Sequence, residues 1–495
     1  MTLTRITRRS MILGVASGTL AAASGVRVAQ AAAQSSNLGS SKKPARGARS
    51  DVLVIGAGLS GLSSALMLQE QGSDVQVIEG RSRVGGRVYT RFDLPGYPEV
   101  GGNSFGAGYG RVLDAAKRME LQVVEYSERR KKYPKLELVI NGQIVAPEDW
   151  PSSPFNHLPP QMRERMPWEM GGIAMQGNNP LQASDDWRSP ANQSYDVSIH
   201  DFLSQRKVPE EVIRLGYSVN PYFGSSAYDV SALQYLYNAA WGASQAKIAP
   251  HMYSILGGNQ QLPMAMSEKL KRPVDLDREV VAISSTDQGA EVYCADGSVY
   301  KSRRVICSLP YSVVRNFRFD PILSGAHEIA VSTLNYMVNT IIFFKANRPF
   351  WEEDGLSPTM WTDGMLGTVA AQRFGESDDE VTAISVNPRG KWAAFLDRLP
   401  REEAISRVIA EIEKIRPKAR GALECTGFHS WNQDPFSAGD WAIFAPGQVR
   451  QFGNAMASIH GNVHFCGEHT AVANRGMEGA MESAERVGIE VMTAL

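Results

Sequence analysis

The chain has 495 residues, of which 43% are hydrophobic and 21% charged. This is the composition of a folded chain of two or three domains at roughly 150 residues each, and it excludes disordered, collagen-like and polytopic membrane proteins. Lys and Arg number 51 against 52 Asp and Glu, a formal charge of −1, so no global basic field exists to attract nucleic acid. The four cysteines (Cys294, Cys307, Cys425 and Cys466) are too few for a disulfide scaffold, and their spacing fits no zinc pattern.

Residues 1–31 carry Arg5, Arg8, Arg9 and Arg27 and no acid, and the first acid of the chain is Asp51. Thr7-Arg8-Arg9-Ser10-Met11-Ile12-Leu13 is a twin-arginine pattern, followed by an apolar stretch from Met11 to Ala23 and an A-x-A site at Ala29-Gln30-Ala31. Basic, apolar and cleavage regions in that order predict a twin-arginine signal peptide over 1–31. The apolar stretch is shorter than the ~20 residues a membrane helix needs, so no stable membrane anchor is expected after cleavage. The twin-arginine route carries folded proteins, which suits one that takes up a cofactor first, and it predicts a periplasmic location. Residues 32–50, rich in Ser, Gly, Lys and Arg, read as a linker.

Asp51 to Ile55 is a short β-branched run, read as a buried parallel strand. Gly56-Ala57-Gly58-Leu59-Ser60-Gly61 follows at once, then a helical stretch from Leu62 to Gln71, a second strand Val75 to Ile78, and Glu79. Strand, G-x-G-x-x-G, helix, strand and acid together predict a dinucleotide site. Gly56 permits the tight turn, Gly58 lets backbone approach a pyrophosphate, and Gly61 lets helix pack on strand. The phosphates are expected at the helix start, over Leu59 and Ser60, with Glu79 accepting from ribose hydroxyls. That acid would repel the 2′-phosphate of NADP.

Arg81-Ser82-Arg83-Val84-Gly85-Gly86-Arg87 resembles the R-x-G-G-R signature of two-domain flavoproteins, which implies FAD. By that resemblance Arg81, Gly86 and Arg87 contact the cofactor, and Gly101, Gly102 and Asn103 supply a second glycine pair of the same type. No second G-x-G-x-x-G occurs in the chain. Electrons are therefore expected from the substrate rather than from NADPH.

Residues 146–192 are rich in Pro, Ser, Asn and Trp, and a segment so long and irregular predicts an ordered lid or a subunit contact, which leaves a homo-oligomer open. The basic run at 129–132 reads as a solvated turn. Val274 to Ile283 reads as a strand pair, and residues 291–308 alternate around an Asp296-Gly297 turn.

Near the end, Val463 to Cys466 reads as a strand, Gly467-Glu468-His469-Thr470 as a loop, and Asn474-Arg475-Gly476-Met477-Glu478-Gly479 as the start of a helix to about Met492. This segment resembles the C-terminal part of the flavin-dependent monoamine oxidase family, and Ile255-Leu256-Gly257-Gly258 resembles that family's G-G turn. The resemblance spans roughly residues 50–495. It implies a Rossmann-like FAD-binding domain with a discontinuous α+β substrate-binding domain. The expected division is 51–110, 251–320 and 425–495 for FAD, and 111–250 and 321–424 for substrate.

The resemblance also implies roles. Glu468 would contact the ribityl-phosphate region, Met477 backbone would face the flavin pyrimidine, and Val280 backbone would face the adenine. A helix start carries about half a positive charge, which suits the charge that reduction places on the flavin. Trp441 would form one aromatic wall of the substrate site. Gly476 occupies the second wall position, where the family places a ring; Tyr222, Trp351 and Trp361 are candidates to replace it. Some members tether FAD through a Cys where this chain has Asp440, so noncovalent FAD is expected. The position matched to a family Lys that holds a water near N5 is Asn316, with Arg315 beside it. No metal is expected, because His464, Cys466 and His469 have no further ligand pair nearby.

The activity so implied is FAD-dependent oxidation of a small primary or secondary amine, by hydride transfer to flavin N5. The imine hydrolyses to an aldehyde or ketone. Alkaloid-type amines such as pseudooxynicotine fall in that class. Oxygen or a periplasmic cytochrome would take the electrons. The alternatives are a desaturase of the same fold, an amino-acid oxidase using Arg315 or Arg318 for the carboxylate, and a non-catalytic flavin-binding partner protein.

Overall fold

The computed structural model describes residues 49–125, 135–249, 251–372 and 380–495. The expected signal peptide, all but the last two residues of the expected linker, and the basic run at 129–132 lie outside the described residues.

Strand β1 (Arg49–Ile55) starts two residues earlier than the expected domain boundary. Val52, Leu53, Val54 and Ile55 are all at most 2% exposed, so both faces are covered, as in a parallel sheet flanked by helices. β1 pairs in parallel with β2 (Val75–Ile78) on one side and β3 (Val299–Cys307) on the other. Near its C-terminal end β3 also pairs in parallel with β4 (Val463–Phe465). The last strand of the chain thus joins the first at the heart of one sheet. The antiparallel hairpin around Asp296-Gly297 is present, with strand Gly289–Cys294 against β3. The expected strand pair at 274–283 is instead one strand, Val280–Thr286, preceded by a single bridge from Asp275 to Ile78.

Helix α1 (Leu59–Glu70) begins within the glycine motif, three residues before its expected start. It packs against α3 (Gly476–Ala494), whose buried face carries Met477, Met481, Ala484, Val487, Gly488 and Val491 at helical spacing. Gly488 allows the close approach: a Cβ there would lie 2.6 Å from Met67 Sδ.

A second sheet runs, in spatial order, Leu423–Ser430, Thr340–Ala346, Ala383–Asn387, Thr368–Gln372, Met360–Thr362, Glu137–Ile140 and Gln143–Val145. Helix Arg401–Ile415 contributes Ala404, Val408, Ile412 and Ile415 to the core on this sheet, with Ile342, Phe344 and Ile384. The expected boundary at 425 falls inside strand Leu423–Ser430, which belongs to this second sheet throughout. The chain rejoins the first sheet only at β4.

Residues 146–192 form a series of short helical turns. Trp150 and Trp187 are buried, and Trp187 stacks on Tyr237 of helix α2 (Ala232–Ile248) at 4.9 Å and 4°. The Trp187 indole donates to the carbonyl of Val472. The segment therefore packs α2 and the loop before α3 together. Among the described residues no helix is long and apolar enough to cross a membrane.

Candidate functional site

A cavity of about 660 Å³ opens where the C-terminal ends of β1 and β3 meet the N-termini of α1 and α3. Ligands of open α/β sheets bind in this place because the strand ends splay apart there and helix N–H groups point inward. Gly56, with φ of +102°, makes the sharp exit from β1. Gly58 and Gly86 face each other across the floor: a Cβ on Gly86 would lie 3.4 Å from Gly58 Cα. Side chains at either would fill the groove that these backbones leave open.

Thirteen of the expected cofactor residues line this one cavity: Gly56, Gly58, Leu59, Ser60, Glu79, Arg81, Gly86, Arg87, Gly101, Gly102, Asn103, Glu468 and Met477. Gly61 does not line it. It lies behind the turn, where a Cβ would sit 2.0 Å from the carbonyl oxygen of Gly56. Val280 lines a smaller chamber of about 180 Å³, which shares Gly56, Glu79, Leu309 and Phe436 with the main cavity.

The charged groups are held by specific partners. Glu79, 3% exposed, accepts from the Ala57 and Arg81 amides at 2.8 and 2.9 Å. Arg81 donates to both oxygens of Asp434 and to Ser437 Oγ. Glu468 lies between Arg87 (3.9 Å) and Arg475 (3.5 Å), and its Oε2 is buried with no hydrogen-bond partner. Unpaired buried carboxylate oxygen is costly; here it sits at the wall of a cavity able to bring a donor. Glycine backbone at a helix start, an acid at a strand tip, two cavity guanidiniums and this orphan oxygen are the donor and acceptor set that a dinucleotide requires.

Glu99 anchors the second glycine pair. Its carboxyl accepts from the Asn259 amide at 2.6 Å and from Thr90 Oγ1 at 2.8 Å, and burial pushes its pKa up to about 8. A carboxyl whose pKa rises on folding contributes stability that is present at low pH and lost as pH climbs from about 4.5 through about 8. Glu99→Gln removes the charge, keeps the Asn259 bond on its carbonyl oxygen and reverses the Thr90 bond, with Nε2 donating to Oγ1. Its Tm is expected to gain on the wild type between pH 5 and pH 9, roughly; a difference independent of pH would show that the burial cost lies elsewhere.

At the other end the cavity is aromatic. Trp441 lines it, with Tyr222 at 5.0 Å and Phe223 at 5.9 Å from its ring. Gly476 also lines it, and a Cβ there would come 3.9 Å from the hydroxyl of Tyr109. Tyr109 packs edge-on to Trp241 of α2 at 5.6 Å, and both line the cavity. Tyr222 therefore joins the Trp441 side, while Tyr109 reaches the Gly476 side from before helix Gly110–Arg118. Trp351 and Trp361 are buried in the hydrophobic cores and line no part of the cavity.

Asn316 departs from expectation. It lines the small chamber with Glu79 and Val280, which Trp441 does not line. The short helix Tyr311–Val314 turns it there after β3. Asn339 lines the main cavity, as Asn103, Gln245 and Asn387 do; it donates from Nδ2 to Asp440 Oδ2 at 2.8 Å, and its Oδ1 is buried without a partner. Burial raises the pKa of Asp440. Asn339 directly precedes the buried apolar strand Thr340–Ala346, the same polar-residue-at-a-strand-end signal that singles out Glu79. Arg315 donates to the carbonyls of Tyr311 and Leu334, and Arg318 is exposed; neither lines the cavity. Arg389 does. The lid expected at 146–192 contributes no cavity residue. His464 pairs with Glu490 at 3.5 Å, and the four cysteines are free, none of them lining the cavity.

Comparison with known proteins agrees with this geometry. The family model described as flavin containing amine oxidoreductase matches residues 59–491. Human amine oxidase [flavin-containing] B is 26% identical over 478 residues, covering 90% of this chain and 86% of the human protein. The zebrafish (Danio rerio) amine oxidase [flavin-containing] is 27% identical over 476 residues, with the same coverage. Among solved structures, putrescine oxidase bound to putrescine superposes with a TM-score of 0.70 at 24% identity, and cyclohexylamine oxidase from Brevibacterium oxydans IH-35A with 0.72 at 20%. Each superposition covers 90% of this chain and 99% of the other.

Proposed function

The chain belongs to the flavin containing amine oxidoreductase family, and from that premise we propose that it oxidises a small primary or secondary amine to an imine, which water hydrolyses to an aldehyde or ketone. It is an FAD-dependent enzyme with the two-domain amine oxidase fold. No cysteine lines the cavity to form a thioether with the cofactor. FAD, when bound, supplies the acceptor for the hydride that leaves the carbon next to nitrogen.

The protein's part is binding, orientation and exclusion of water. Leu59 and Ser60 amides and Arg87 would hold the pyrophosphate, Glu79 the ribose, and Val280 backbone the adenine. Glu468 and the α3 start at Gly476 and Met477 would hold the flavin end, where a helix N-terminus favours added negative charge. Trp441 and Tyr222 would lie along the substrate and keep bulk water from it. No acid–base pair is needed, because the amine reacts neutral.

One observation carries the reading: the nucleotide groove and the Trp441–Tyr222 wall are parts of a single cavity. Alkaloid-type amines, pseudooxynicotine among them, are the narrower substrate class proposed, with export to the periplasm on the Thr7-to-Ala31 pattern. Among the described residues no lysine lines the cavity, which favours a periplasmic cytochrome over oxygen as the final acceptor. Adding a panel of small amines to the holoenzyme without air tests the reaction. Bleaching of the flavin absorbance is expected, followed by slow recovery in air and fast recovery with a cytochrome. A flavin that no amine bleaches would remove the proposal.

A further inference from the structure

Most charged groups at the cavity have a partner. Arg81 is paired with Asp434, Arg87 donates to the carbonyl of Asp440, and His251 pairs with Glu125 at 2.7 Å. Arg389 differs. Its guanidinium sits 5.5 Å from the centre of the Tyr222 ring, and no carboxylate among the described residues lies within ion-pair distance of it. Nor does its side chain donate a hydrogen bond to any of the described residues. Asp440 feels its charge, yet Asp440 Oδ2 is taken by Asn339. Arg389 is nevertheless held in place. Its backbone bridges Asn339, and Gly390 beside it is packed against the backbone of Gly224 and Ser225. Arg389, Tyr222 and Trp441 thus form a stack along one side of the site.

We infer that Arg389 selects the substrate, donating from its guanidinium to a carbonyl or carboxylate oxygen carried by the amine at the end away from the reacting carbon. The inference rests on the amine-oxidation reading and names the substrate class within it. An arginine fork matches planar sp² oxygen, and its charge does not titrate away. The same fixed charge repels an ammonium, so it also favours the neutral form of the amine that the reaction consumes. A purely alkyl amine leaves the guanidinium with water alone.

The test uses the holoenzyme and three amines of matched length: N-methylpentylamine, the counterpart ending in a primary amide, and the counterpart ending in a carboxylate. Each is mixed with enzyme without air, and kcat/KM for flavin bleaching is compared. The wild type is expected to favour the two oxygen-bearing amines by about 10- to 100-fold, the range for a hydrogen bond to a charged group. Whichever of the two leads tells whether neutral carbonyl compounds or amino acids are the natural class. In Arg389→Met the preference collapses, chiefly through KM, with FAD absorbance retained. Arg389→Lys keeps part of it for the carboxylate. A wild type with no preference, or a Met variant equally weakened on all three amines, would overturn the assignment while leaving amine oxidation intact. Bleaching by none of the three would overturn both.

Discussion

Gly61→Ala is expected to yield a colourless protein that does not take up added FAD. The added Cβ would lie 2.0 Å from the carbonyl oxygen of Gly56 and 2.7 Å from Ser308 Oγ. Neither can yield. The Gly56 carbonyl belongs to the turn that leaves β1, and Ser308 Oγ is already bonded to the carbonyls of Ile55 and Gly56. Helix α1 must therefore lift from the sheet by an ångström or more, carrying the Leu59 and Ser60 amides out of the cavity they line. Overpacking of this kind costs about 1–3 kcal/mol in stability, but loss of cofactor is the larger effect because the N–H groups must point at the phosphates to be of use. Gly172→Ala is the control: a helical position where an added Cβ meets nothing within 4 Å. It should keep its yellow colour and gain a few tenths to about 1 kcal/mol of stability. A Gly61→Ala protein that stays yellow would show that the helix has another way to seat itself.

Trp441→Ala carries the second large effect, and it acts on the other half of the cavity. The indole is flanked by Tyr222 and Phe223 and has no contact with the glycine turn among these ring contacts. Its removal should leave FAD bound. The substrate would lose a flat surface worth about 0.5–1.5 kcal/mol in contact. More is lost because an amine free to tilt no longer holds its C–H at reacting distance, for which a misplacement of 1 Å costs about 100-fold. A fall of about 100-fold in kcat/KM for flavin bleaching is expected, with the flavin spectrum of the resting enzyme preserved. Trp441→Phe should recover most of it. Unaltered bleaching in the alanine variant would return Trp441 to a packing role.

The residues that the sequence made legible share a trait. Gly56, Gly58 and Gly61 act through backbone geometry, and Glu79 through its carboxylate at a strand tip, all inside one strand–turn–helix–strand unit where spacing along the chain is spacing in the fold. Glu468 and Met477 were legible for the same reason at the other end, as a strand followed by a helix start. Asn316 shows where this breaks down. It was matched to the family lysine by aligning the stretch 311–316, yet one helical turn carries it to the small chamber, whereas Asn339 lines the main cavity. The segment 146–192, read as an ordered lid or a subunit contact, contributes no cavity residue; its tryptophans order it against α2 and the loop before α3.

Chain order alone thus marked the dinucleotide turn and the strand-to-helix segment near the end of the chain, because each rests on contacts between near neighbours, and FAD followed from the family resemblance these motifs carry. Which rings and charges surround the substrate was decided only by folding. Tyr109, Tyr222, Trp241, Asn339, Arg389 and Trp441 come from segments up to 332 residues apart, brought together by the packing of two sheets and helix α2. No local pattern records such an encounter, since each of these side chains, taken with its own neighbours in the chain, looks like an ordinary residue of a loop, helix or strand end.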